Sequence, residues 1–171
     1  LDNYQNLTSL PNNKPVLGLF GDKGLPWALD DSNPHRLSAM TKAGVHHLVN
    51  LQKNDNKEDK GFFMLVEGSQ VDWAGHGNNI SDAMAEMDDL AKTIEYLEHF
   101  AEHHPDTLVV ITADHSTGGF SVGARSKYEW NAENLRTMKH SVNYIAKQLS
   151  QHQITSQSTS TLFNFDLTVE E

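Results

Sequence analysis

The chain has 171 residues, 37% of them apolar, a formal net charge of −10 and no cysteine. That length fits one domain with a real core, and the acidic balance excludes a nucleic-acid partner and an anionic membrane surface. Without cysteine there are no disulfides or thiolate sites, so any metal must be held by His and carboxylate, and no apolar run approaches the roughly 18 residues of a membrane span.

Residues 1–13 are polar and read as loop. Val16 to Phe20 reads as a short buried strand ending at Gly21, and Gly24 to Pro34 as loop. Leu37, Met40, Val45, Leu48 and Val49 recur at helical spacing and predict a helix over Leu37–Leu51. His46 and His47 sit on its surface. Asn54 to Lys60 is a charged, solvated loop. Gly61 to Val66 is continuously apolar and predicts a strand covered on both faces.

Ile80 to Phe100 is the clearest helix. Ile80, Ala83, Met87, Leu90, Ile94, Leu97 and Ala101 step by three and four, which reads as a core-facing stripe. Pro105 lies just past its end. His99, His103 and His104 read as a polar helix terminus. Thr107 to Thr112 predicts the next buried strand, so strand, helix and strand make a βαβ unit with parallel strands. Asn131 to Gln148 predicts a further helix. Gln151 to Thr161 is Ser/Thr/Gln-rich and reads as linker or loop, and Phe163 to Leu167 as a short extended piece. The chain starts at Leu1 and closes on Thr168 with Glu171 three residues later, a helix-start signature, so both ends read as cut.

Parallel sheets flanked by helices bind ligands outside the carboxyl ends of their strands. Two predicted strands deliver polar residues there: Glu67 to His76 (EGSQVDWAGH) and Ala113 to Gly119 (ADHSTGG). Asp72 and His76 are four apart, on one face of a helical turn, and can meet one metal ion. Asp114 and His115 follow a buried strand directly and need partners. Glu67 is placed in the same way, and a carboxylate among oxygen ligands suits magnesium. Ser69, Ser116 and Ser121 show no base and orienter in sequence and take turn or supporting roles.

VEGSQVDWAGHG and TADHSTGG resemble the alkaline phosphatase family, and within it the marine and cold-adapted bacterial enzymes. GLFGDKGLPWALD and HRLSAMTKAG also look familial, and the resemblance runs to about Trp130. It implies an α/β fold, a partial three-layer α/β/α sandwich with a mainly parallel sheet. The metal-hydrolase domain would span residues 1–150, and 151–171 would be a polar segment and truncated end. It implies two zinc ions and one magnesium: Asp72 and His76 on the zinc that activates water, Asp114 and His115 on the zinc that holds a serine alkoxide, and Glu67 on magnesium. Trp73 stands where better-known members carry Lys or His, and would shape the rim of the phosphate site. The substrate would be a phosphate monoester, and the whole protein a periplasmic or secreted homodimer.

The family's Asp-Ser-Ala nucleophile segment is absent, as are clear matches for its phosphate-gripping Arg and its late zinc-binding His; His140 and His152 lack the expected Gly-rich context. A fragment without turnover is therefore expected. The alternatives are another member of the same metal-hydrolase superfamily, of phosphoglycerate mutase or phosphodiesterase type, and a non-catalytic metal-binding or interaction module.

Overall fold

The computed structural model describes residues 7, 10–11, 13–54, 61–121, 123–130 and 132–151. Among the described residues five α-helices form: α1 (Arg36–Asn54), α2 (Ser69–His76), α3 (Ile80–His103), α4 (Glu133–Thr137) and α5 (Val142–Gln151). Single 3-10 turns lie at Ala28–Asp30 and Ala124–Ser126. The chain divides into two compact units. One comprises Leu1–Pro26, His35–Gly68 and Asp88–Thr112; the other comprises Trp27–Pro34, Ser69–Met87 and Ala113–Glu171.

In the first unit, α1 begins without an acidic residue in its own first turn. Its N-terminal amides would lack acceptors. Asp89 supplies them from α3: its two carboxylate oxygens accept from the backbone N–H of Leu37 at 2.9 Å and of Ser38 at 3.1 Å. The Arg36 guanidinium lies 3.9 Å from the same carboxylate, and both side chains are buried. One turn on, the Thr93 hydroxyl donates to the Asp89 carbonyl at 2.8 Å. On α1, Thr41 and Val45 are four apart and form its buried face.

In the second unit, α2 ends in a Schellman arrangement. Asn79 N–H reaches the Ala74 carbonyl and Asn78 N–H the Gly75 carbonyl, both at 2.9 Å. Asn78 takes the left-handed conformation this needs, φ 48°. Asn79 then caps α3: its side-chain oxygen accepts from Asp82 N–H at 3.3 Å, and its amide returns a hydrogen bond to the Asp82 carboxylate. Glu86 accepts from Ala28 N–H at 2.9 Å. Asp30 accepts from Ser141 N–H at 2.9 Å, and the Ser141 hydroxyl caps α5 by accepting from Tyr144 N–H at 3.0 Å.

Four expectations change. The helix predicted over Asn131–Gln148 is two helices, because the backbone turns extended at Met138 after α4 and Ser141 caps a new helix. Among the described residues no strand forms, and the segments at 16–20, 61–66 and 107–112 are extended but unladdered. They are not covered on both faces either. Leu17, Leu19, Phe63, Leu65, Leu108 and Val110 are each at least 70% exposed, at every second residue. The stripe expected to bury α3 holds in part: Ala83 is buried, Ile80, Leu90, Ile94, Leu97 and Ala101 are half-buried, and Met87 is exposed, while Asp82, Glu86, Asp89 and Thr93 form the most buried line. Those four positions share one helix face, and each is fixed by a hydrogen bond that a methionine cannot make. The segments predicted at residues 1–6, 55–60 and 152–171 lie outside the described residues.

Burial raises the Asp82 carboxyl from 3.8 to about 6, helped by the neighbouring charges of Asp30 and Glu86 and opposed by the Asn79 hydrogen bond. The folded chain thus holds this proton more tightly than the unfolded chain. This group's contribution to stability therefore declines as pH rises from about 4 to about 6. Denaturation midpoints measured across that range should fall for the parent chain and flatten in Asp82→Asn. Asp89→Ala strips two amides and Arg36 of a buried acceptor and should cost about 3–5 kcal/mol in urea unfolding.

Candidate metal centre

Four of the predicted ligands, Asp72, His76, Asp114 and His115, belong to the second unit, and Glu67 belongs to the first. Glu67 is exposed there.

α2 carries Asp72 in its first turn and His76 in its last. This order suits the helix dipole, with the carboxylate at the positive end and the imidazole at the negative one. His76 Nε2 stands 3.5 Å from Asp72 Oδ2. After Thr112 the chain turns at Asp114, whose Oδ1 accepts from the His115 N–H at 3.0 Å. This bond folds the two adjacent side chains to one side, and His115 Nε2 comes within 3.4 Å of Asp114 Oδ2.

Thr117 joins the two pairs. Its hydroxyl lies 2.6 Å from Asp72 Oδ1 and 3.1 Å from His115 Nδ1. A carboxylate only accepts, so the single hydroxyl proton goes to Asp72. The Thr117 oxygen must then accept from His115 Nδ1–H. That leaves the lone pair of neutral His115 on Nε2, the nitrogen facing Asp114. Asp72 Oδ1 is likewise occupied by Thr117, and Oδ2 is left facing His76. Sequence reasoning passed over Thr117; its signal was a hydroxyl two residues beyond His115 in the same strand-end turn.

The glycines in this turn have steric reasons. Gly118 has φ +84°, and a methyl group there would overlap the Gly75 carbonyl. A methyl group on Gly75 would meet the Thr117 carbonyl oxygen at 3.0 Å and its Cβ at 3.1 Å. The Asn78 side-chain amide donates to the Gly118 carbonyl at 2.8 Å. Close backbone contact thus delivers Thr117 to Asp72.

The donor set suits zinc-class ions. Two ligand atoms on one tetrahedral zinc, with bonds of about 2.0–2.2 Å, stand about 3.3–3.5 Å apart. The Asp72–His76 and Asp114–His115 separations of 3.5 and 3.4 Å match that span. No three of these four side chains bring ligand atoms within 4.8 Å of one another. They form two separate pairs. The Asp114, His115 and His76 side chains are more than half exposed, so further ligands have access. Trp73, between the members of the first pair, is exposed as well.

The alkaline phosphatase family model matches residues 1–164. The chain belongs to the alkaline phosphatase family. It is 41% identical over 157 residues to alkaline phosphatase 4 of Bacillus subtilis, covering 91% of this chain and 32% of that protein. Alkaline phosphatase 3 of the same organism is 43% identical over 136 residues, with 79% of this chain and 28% of the relative covered. The crystal structure of a cold-active alkaline phosphatase from a psychrophilic Shewanella species superposes with a TM-score of 0.87 at 38% identity, covering 99% of this chain and 40% of the other. The chain therefore spans about a third of the length of these curated alkaline phosphatases. These relatives are named as phosphatases, and the structural neighbour's fold is α/β.

Gly118→Ala should lower stability by about 1–3 kcal/mol through its left-handed backbone alone, with the Gly75 overlap added to that. Gly119 also has positive φ but has open space beside it, so Gly119→Ala should cost less. Urea denaturation of the two variants side by side reads the difference, and equal losses would contradict the close approach of Gly118 to Gly75.

Proposed function

We propose that this chain supplies the zinc-holding part of a phosphomonoester hydrolase. The observation that carries the reading is the pair of His–carboxylate couples at zinc-ligand separation, joined through Thr117. Asp72 and His76 hold one zinc, Asp114 and His115 hold a second, and Glu67 contributes to magnesium. Two such ions would supply Lewis acidity toward the attacking and leaving oxygens of the phosphate ester. The residues of this chain hold and orient the ligand atoms, and Trp73 lines the rim where the ester enters.

The attacking group lies outside this sequence, which has no Asp-Ser-Ala segment. The chain by itself therefore binds metal without turning over substrate, as part of a longer protein. In that protein the extended segments at 16–20, 61–66 and 107–112 become strands of a mainly parallel sheet, the middle of an α/β/α sandwich. Their exposed side chains at every second residue are the pattern a sheet face presents before it is covered. The same reading takes the whole protein as a periplasmic or secreted homodimer.

The test uses the full-length gene product and a simple aryl phosphate monoester. Asp72→Ala and Asp114→Ala should each remove most of the activity and about one equivalent of bound zinc. Thr117→Ala should lower zinc affinity or activity about 10–100-fold, while Thr117→Ser retains most of both. Hydrolysis that survives chelation and is unchanged in Asp72→Ala would sink the proposal.

A further inference from the structure

The end of α3 carries a second group of metal-type ligands, within the first unit and separate from the four residues above. His99, Glu102 and His103 are all exposed, and one ligand atom from each lies within 4.8 Å of the others. Among the described residues this is the one such group of three. The spacing explains it: positions i, i+3 and i+4 of a helix share one face. His99 Nδ1 lies 3.6 Å from Glu102 Oε2, and the two imidazole centroids are 4.4 Å apart.

Two features go beyond proximity. The first is a fixed tautomer. His103 Nδ1 lies 2.9 Å from the His99 backbone carbonyl. A carbonyl only accepts, so Nδ1 carries the proton and the Nε2 lone pair of the neutral ring is available to an ion. Metal-binding histidines are commonly held this way, the second ring nitrogen donating to a carbonyl. The second is the local field. His103 is the last residue of the 24-residue helix and the basic residue of its final turn. The helix dipole places partial negative charge at that end, which favours a cation. His104 does not join the group: its ring stacks on Phe100 at 3.9 Å and its Nδ1 donates to the Phe100 carbonyl at 2.8 Å.

We propose that His99, Glu102 and His103 form an exposed site for a divalent ion of the zinc, nickel or copper class. Two imidazoles and one carboxylate are the ligand set of such ions, and magnesium and calcium prefer oxygen alone. Three protein ligands leave one position of a tetrahedral ion open to water. The chemistry is independent of phosphate hydrolysis.

Zinc titrated calorimetrically into the chain carrying Asp72→Ala and Asp114→Ala reads this site without the other. One zinc should bind per chain, and adding His99→Ala with His103→Ala should abolish that binding. Absence of zinc binding in the first variant, or binding unchanged in the second, overturns the proposal. The unsubstituted chain gives a check that does not depend on the variants folding. On adding zinc, the imidazole proton resonances of His99 and His103 should shift or broaden while those of His46 stay in place. Resonances of His99 and His103 that do not move would overturn the proposal equally.

Discussion

The buried Asp89 carboxylate is the contact on which the first unit depends. An α-helix leaves its first amides unpaired, and α1 has no acidic residue in its own first turn to meet them. A carboxylate from α3 does so at 2.9 and 3.1 Å. Removing it would leave buried donors without an acceptor, which costs more than losing an ordinary hydrogen bond. In the second unit, Glu86 does the same for Ala28, and Asp82 closes the cap begun by Asn79. Glu86 and Asp89, on the buried line of α3, are therefore acceptors for particular backbone N–H groups. Such contacts specify which segments meet, where an apolar stripe would specify only that something apolar must cover it.

Much of the helical framework was legible in the sequence. The three-and-four spacing placed α1 and α3 within a few residues of their observed bounds, and four-residue spacing put Asp72 and His76 on one helix. The covered face of α3 was legible in part, since Ala83 of the apolar stripe is buried and Met87 is not. The polar line beside it was not legible, because Leu37 and Ala28 cannot be paired with Asp89 and Glu86 by pattern alone. The start of α5 was more accessible, since Ser141 stands just before an amphipathic run and serine is a recognised cap there. The strands read from apolar runs have no ladder here. A run of apolar residues shows that a segment would be stable once covered, and the cover need not lie within the same stretch of chain.

The four residues of the candidate metal centre were legible as candidates from the sequence, and Glu67 falls in the other unit. Residue type and spacing suffice for Asp72 with His76, and strand-end position for Asp114 with His115. The tautomer of His115 was not legible. It follows from two distances at Thr117 and from the fact that a hydroxyl has one proton.

That one proton has a further consequence. The bonds from His115 to Thr117 and from Thr117 to Asp72 all point the same way, and hydrogen bonds in such a chain polarise one another. Electron density drawn from Asp72 weakens its pull on the Thr117 proton. The Thr117 oxygen then accepts less strongly from His115, and the far nitrogen of that ring becomes a poorer donor. The two His–carboxylate couples are thus linked through a relay of three side chains. On the proposed reading, an ion at one would alter the electronic character of the other with no movement of the backbone.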